Sequence, residues 1–158
     1  MNWPPPIDPN APYWKDYLAL LARLPPDRFP SCSDLNGIMP DRLATVSGRP
    51  LRFRAQSELP GVSYEQHIQA TGEVSTREGS WHDLFNAMVW ARLSVIKKSI
   101  NALHCQSTES PTPGRRGPVR DALTLLDECG VLVASDRIQL LRALAGKDWH
   151  TAFRSLQD

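Results

Sequence analysis

The stretch from Ser80 to Gln106 lies in the longest segment without glycine or proline, and it constrains the fold more than any other part of the chain. The spacing predicts helix, because at about 100° per residue the apolar side chains gather on one broad face. Ser80 is a suitable N-cap, and Asp83 suits the positive end of the helix dipole. Ser94 marks a break between two helices. The expected core face comprises Leu84, Phe85, Met88, Ala91, Val95, Ile96 and Leu103.

The opposite side of this stretch gathers hydrogen-bonding side chains and one large aromatic within roughly a quarter turn, if the helix runs unbroken. We call this the polar stripe, and its members are His82, Asn86, Trp90, Lys97, Asn101 and His104. Imidazoles exchange protons near neutral pH, an ammonium holds phosphate or carboxylate, and amides orient either. We therefore predict catalytic roles for His82 and His104 and ligand-binding roles for Asn86, Trp90, Lys97 and Asn101. The alternative is structural: the same side chains tie the helix to neighbouring backbone.

A basic loop follows the helical stretch and supplies further candidate ligand-binding residues, Arg115, Arg116 and Arg120. Guanidinium groups bind phosphate bidentately, so the loop suits an anionic ligand or nucleic acid phosphates. The acidic residues that follow, Asp121, Asp127 and Glu128, would repel nucleic acid. A structural pairing of Arg120 with one of these carboxylates is the alternative.

Charge and composition narrow the function classes. Lys and Arg total 18 against 17 Asp and Glu, so the chain has no bulk attraction to nucleic acid or an anionic membrane. Three widely spaced cysteines indicate neither a disulfide framework nor a zinc site, which favours the reducing cytoplasm. The sequence also lacks a secretory signal, a run of ~20 apolar residues, and the spacing motifs of metal, phosphate-loop or nucleophile sites. We expect no cofactor, no metal and no membrane partner.

The rest of the chain predicts a mainly helical α+β domain. Residues 1–12 form a proline-rich arm, and residues 13–158 a single globular domain with a mobile loop at 107–118. We predict one strand at 51–55, a polar link at 73–79 and a β-hairpin near 123–133. The helices expected outside the central stretch cover residues 12–24, 33–39, 64–70, 136–145 and 149–156, with Asp136 and Asp148 as the last two N-caps.

Several motifs resemble an uncharacterised bacterial family, domain of unknown function 3025. They are Tyr64-Glu-x-x-Ile68, Thr71-Gly-Glu-Val74, Thr76-Arg77, Trp81-His-Asp-Leu-Phe-Asn-Ala87, the later stripe residues, and the run from Arg120 to Gly130. Similar proteins have proline where this chain has Ser94, which supports two abutting helices. They also continue beyond this C-terminus, so the resemblance implies a shortened member. It supplies a shape and a set of residues but no reaction.

Together these features predict a cytoplasmic bacterial protein that binds an anionic or phosphorylated ligand through the polar stripe and the Arg loop. The alternatives are a non-catalytic protein interaction module, using Trp3 and the proline-rich arm, and a nucleic-acid-binding protein. The residues name neither a substrate nor a reaction, and they leave open whether the protein is an enzyme.

Overall fold

The computed structural model describes residue 3 and residues 7–58, 63–107 and 117–156. The chain divides into two compact units, Met1–Asp127 and Glu128–Asp158. The described residues are mostly helical with one small sheet, so the expected mainly helical α+β class is confirmed.

The first unit contains most of the regular structure. Its elements are α1 (Leu18–Leu21), α2 (Cys32–Ile38), β1 (Arg52–Ala55), α3 (Tyr64–Thr71), β2 (Glu73–Thr76), α4 (Trp81–Arg92) and α5 (Ser94–Gln106), with 3-10 turns at Pro12–Trp14 and Gln56–Glu58. Helix α6 (Pro118–Cys129) begins in this unit and ends in the second. The second unit continues with α7 (Ile138–Ala145) and a π-helix (Thr151–Ser155).

Strands β1 and β2 form a two-stranded parallel sheet, with Arg52 opposite Glu73 and Ala55 opposite Thr76. Helix α3 lies between them in the chain, as the crossover of parallel strands requires. The strand at 51–55 was predicted, whereas the prediction of a polar link at 73–79 is wrong. Val74 and Thr76 alternate with half-buried residues and are themselves buried, which is the period of a strand.

Two residues outside the strands fix the position of β1. The Asn36 side chain on α2 donates from Nδ2 to the Phe53 carbonyl at 3.1 Å, and its Oδ1 accepts from the Phe53 amide at 2.8 Å. This amide satisfies backbone groups on the edge of β1. Gly72 ends α3 with φ at 80°, and a Cβ there would lie 2.2 Å from the Pro50 carbonyl oxygen. Glycine is therefore required for the chain to turn from α3 into β2.

The core of the first unit lies between the sheet and helices α2 to α4. Phe53 and Val74 are buried on the sheet, and Leu84 and Met88 are buried on α4 as predicted. The prediction of a core position is wrong for Phe85 on α4 and for Val95 and Leu103 on α5, which are exposed, whereas Ala91 and Ile96 are half-buried. The other fully buried large side chains are Leu35, Ile38, Ile68, Trp90 and Asn101.

The N-terminal region is attached to this core through Trp3. Its Nε1 donates to the Pro25 carbonyl at 2.8 Å, and its ring contacts Phe29 and Trp81 at centroid distances of 5.5 and 5.8 Å. The helix predicted over 12–24 is shorter than expected, since only the 3-10 turn and α1 form there. Residues 1–2 and 4–6 of the predicted arm lie outside the described residues.

The hairpin predicted near 123–133 is wrong. Residues 118–129 form the continuous helix α6, and residues 130–137 have no regular structure. Pro118 suits a first helical position, and Val119, Leu123 and Leu126 follow helical spacing. Gly130, which lies within the predicted hairpin, comes directly after the last residue of α6.

The second unit follows the predicted order of helices. α7 begins after Arg137 and not after an Asp136 cap, and it ends at Gly146 as expected. Asp148 Oδ1 accepts a hydrogen bond from the Thr151 amide at 3.0 Å, as a cap does. The Trp149 and Phe153 rings stack at 6.2 Å.

Candidate functional site

The polar stripe is divided between two helices. Leu93 separates α4 from α5, with φ and ψ of −117° and 38°, so the predicted break is confirmed one residue before Ser94. His82, Asn86 and Trp90 lie on α4, whereas Lys97, Asn101 and His104 lie on α5. The three α5 residues are spaced by four and three positions and share one face.

At the start of α4, His82 belongs to a cluster with Asp83 and Arg77. The Asp83 carboxylate accepts hydrogen bonds from the Arg77 amide (2.7 Å), Arg77 Nε (3.0 Å) and Arg77 Nη2 (2.8 Å). His82 Nδ1 lies 2.8 Å from Oδ1 of the same carboxylate, the oxygen that also accepts from Arg77 Nη2. Burial of Asp83 by itself raises its pKa, but the hydrogen bonds from Arg77 and His82 outweigh it and hold the pKa well below its usual range. Asp83 is therefore a permanent anion that orients an exposed imidazole.

Asn86 lies one helical turn further along α4 and contacts α3. Its Nδ2 donates to the Tyr64 hydroxyl at 3.1 Å. Burial raises the pKa of that hydroxyl, and the negative charge of Glu65 raises it further. Tyr64 is therefore neutral at physiological pH and can itself donate a hydrogen bond.

Lys97 is buried although its side chain is charged. Its side chain is only 9% exposed, and its ammonium donates to both oxygens of Asp127 on α6, at 2.6 and 2.8 Å. The ammonium also lies 5.5 Å from the ring centroid of Trp90, within range of a cation–π interaction. Removing an ammonium from water costs several kcal/mol, and these partners offset that cost. Asp127 is 25% exposed, so the ion pair lies at the edge of the buried region.

Asn101 is buried on α5 and faces α3. Its Nδ2 donates to the Glu65 carbonyl oxygen at 2.9 Å and to Glu65 Oε2 at 2.7 Å. Both partners are acceptors, so the amide nitrogen must face Glu65 and the amide oxygen must face elsewhere. The neighbouring Cys105 thiol also donates to the Glu65 carbonyl, at 3.3 Å. Burial raises the pKa of that thiol, as does the negative charge of Glu65, so Cys105 is a poor nucleophile.

Three atoms of the polar stripe are buried without a hydrogen-bond partner among the residues that the structure describes. They are Trp90 Nε1, Asn101 Oδ1 and His104 Nδ1. Trp90 Nε1 is a donor, Asn101 Oδ1 is an acceptor, and His104 Nδ1 can be either. Unsatisfied buried polar atoms are rare in folded proteins, and each requires a physical explanation.

The remaining predicted site residues are on the basic loop. Arg115 and Arg116 lie outside the described residues. Arg120 is half-buried on the first turn of α6, where its positive charge partly offsets the rise in the pKa of Cys105. Within the described parts of the chain, no group of three or more His, Cys, Asp or Glu side chains is arranged to hold a metal ion.

Sequence reasoning missed the residues that contact the polar stripe. Tyr64, Glu65 and Arg77 occur in the motifs that carry the family resemblance, but no periodicity connects them to α4 or α5. Asp83 was expected only to suit the positive end of the helix dipole. Asp127 was expected only to repel nucleic acid or to pair with Arg120. Its bond to Lys97 joins residues 30 positions apart in the chain and could not be read from local spacing.

The fold and site define a mainly helical α+β protein whose polar stripe is divided between α4 and α5 and is buried at Trp90, Lys97, Asn101 and His104. The sequence profile of the family described as protein of unknown function (DUF3025) matches residues 51–158, and the chain belongs to that family. No curated protein and no solved structure matches the chain significantly. Among the described helices, none is both long and apolar enough to cross a membrane.

Proposed function

We propose that this protein binds a small anionic ligand, phosphorylated or carboxylated, against the part of the polar stripe formed by Trp90, Lys97, Asn101 and His104. The observation that carries the proposal is that Trp90, Asn101 and His104 each bury a polar atom that has no partner among the described residues. Lys97 lies on the same stripe and supplies a positive charge. A ligand with both donor and acceptor atoms would satisfy these groups.

The contact between Lys97 and Asp127 supports an anion as the ligand. The ammonium holds two carboxylate oxygens at 2.6 and 2.8 Å, so this position already favours a carboxylate or phosphate group. Asp127 is the competing anion, and it is accessible enough to be displaced. Removal of the Asp127 charge should therefore strengthen ligand binding, whereas removal of the Lys97 charge should weaken it.

Within the same proposal, His82 and His104 are the candidates for proton transfer. Asp83 occupies His82 Nδ1, so His82 would exchange a proton with a ligand through Nε2. His104 would act through Nδ1, which is buried without a partner among the described residues. The predicted contribution of Arg115, Arg116 and Arg120 remains part of the proposal. We also retain the prediction that the protein acts in the cytoplasm of a bacterium, which fractionation of the source cells would test.

Calorimetric titration of the protein with inorganic phosphate tests the proposal. A titration with chloride at the same ionic strength is the reference. Wild-type protein should bind phosphate, Lys97→Met should lose at least about tenfold in affinity, and Asp127→Asn should gain about tenfold, since each removes roughly one charge interaction of 1.4 kcal/mol or more. Methionine keeps an unbranched apolar side chain of similar length and removes only the charge.

The matched control is Lys98→Met, which removes the adjacent positive charge on the same helix. It should leave phosphate affinity within about twofold of wild type. Malonate in place of phosphate distinguishes a carboxylated ligand from a phosphorylated one. The proposal fails if wild type binds neither anion, or if Lys97→Met and Lys98→Met reduce the affinity equally, because equal losses would indicate a general charge effect.

A further inference from the structure

One side of helix α6 contacts the rest of the first unit. Asp127 on this side binds Lys97, and Leu123, one turn earlier, is buried. Arg120 lies at the same rotation around the helix axis and is half-buried. Since residues 120, 123 and 127 face inward, the residues on the opposite side of α6 must face outward.

The outward side of α6 is apolar. Val119, Leu125 and Leu126 are 57%, 64% and 44% exposed, and Ala122 between them is also exposed. At about 100° per residue these four positions span roughly a third of the helix circumference. An amphipathic helix normally buries such a face, so its exposure indicates a surface that another molecule covers.

Two carboxylates border this outward face on one side. Asp121 and Glu128 are seven positions apart, which places them at almost the same rotation around the helix axis, and both are exposed. Leu125 lies between them, one turn from each. The outward face is thus an apolar surface with an acidic border.

We propose that the outward face of α6, formed by Val119, Ala122, Leu125 and Leu126, is a docking surface for an amphipathic helix of another protein that carries Lys or Arg beside its apolar residues. Burial of the apolar outward face stabilises the complex, and the acidic border favours basic residues at the flanking positions of the partner helix. This surface is separate from the ligand contacts of the polar stripe, which lie on the inward side of α6.

Charge disfavours the two other candidate occupants. In a two-fold pair of identical helices packed antiparallel, each flank faces the same flank of its partner. Asp121 and Glu128 would then meet their own copies, which is repulsive. An anionic lipid surface would likewise be repelled by these carboxylates. A helix with a basic flank is attracted by these carboxylates, whereas a second copy of α6 and an anionic lipid surface are repelled by them.

Fluorescence anisotropy with the full chain and a synthetic, labelled 18-residue amphipathic helix tests this surface. The peptide carries leucine at helical spacing with lysine on the flanks, and a second peptide of the same pattern carries glutamate on the flanks. We expect the lysine peptide to bind at least about tenfold more tightly than the glutamate peptide. The double change Asp121→Lys and Glu128→Lys should reverse that preference.

Leu126→Gln should weaken binding of the lysine peptide by about tenfold or more, as expected for one interfacial leucine. The matched control is Leu103→Gln on α5, where the leucine is similarly exposed at 48%, and it should leave binding unchanged. Four results would overturn the proposal. They are no binding of the lysine peptide, equal binding of both peptides, concentration-dependent self-association in sedimentation that Leu126→Gln abolishes, or retention on anionic vesicles.

Discussion

Replacement of Asp83 by asparagine should destabilise the protein at neutral pH, and the loss should shrink as the pH falls below about 4. Asparagine fills the same volume but keeps only one acceptor oxygen. The two hydrogen bonds to Asp83 Oδ1, from Arg77 Nη2 at 2.8 Å and His82 Nδ1 at 2.8 Å, are the contacts that an amide nitrogen at that position cannot accept. The variant also removes a negative charge from the N-terminal turn of α4.

The expected loss follows from the burial of this carboxylate. Hydrogen bonds to a charged group contribute about 1.5–3 kcal/mol each to stability. Arg77 and His82 are exposed, so water replaces part of what they lose. We therefore expect the free energy of unfolding to fall by about 2–3 kcal/mol at pH 7. For a chain of this size that corresponds to a decrease in Tm of roughly 5–10 °C.

The pH dependence follows from the pKa of Asp83, which is lower in the folded chain than in the unfolded chain. The stabilisation is complete above the unfolded pKa of about 4 and is lost as the pH falls toward the folded pKa. Urea unfolding of wild type and variant from pH 7 to pH 3 should give a difference that shrinks below about pH 4. Asp41→Asn, at an exposed carboxylate, is the control. A variant as stable as wild type at pH 7, or a loss that persists unchanged at pH 3, would refute this reasoning.

Two substitutions and one control variant test the contacts that position the two strands. Gly72→Ala should lower the free energy of unfolding by more than about 2 kcal/mol, because positive φ disfavours alanine and the Pro50 carbonyl leaves no space for a Cβ. Gly37→Ala, in helix α2 with open space around the added carbon, should instead be neutral or stabilising. Asn36→Ala should cost about 1–3 kcal/mol, because it removes both hydrogen bonds to Phe53. Urea unfolding measures all three, and a Gly72→Ala variant as stable as Gly37→Ala would contradict the first expectation.

Local signals in the sequence were sufficient for much of the fold. The helical period, the Ser80 cap and Asp83 predicted α4, and Ser80 Oγ does accept from the Asp83 amide. The helix predicted over 64–70 corresponds to α3, which ends at Gly72. These features succeeded because caps and glycine conformations are determined within a few residues.

The errors occurred where tertiary contacts decide the structure. Leu123 and Leu126 fit a strand or a helix, and the inward packing of α6 selects the helix. Val74 and Thr76 form only a short alternation, which becomes a strand because β1 lies beside it. On an unbroken helix Trp90 lies on the side opposite the expected core, whereas in the structure it is almost completely buried.

Nuclear magnetic resonance of the Trp90 indole N–H during a phosphate titration tests the central claim most directly, because Trp90 Nε1 is one of the buried atoms assigned to the ligand. The resonance is identified by its loss in Trp90→Phe. We expect it to shift with the affinity that calorimetry gives for wild type, at lower phosphate concentrations in Asp127→Asn, and only at phosphate concentrations at least about tenfold higher in Lys97→Met. An indole resonance that stays in place while phosphate binds would show that the anion is held elsewhere and would contradict the proposed site.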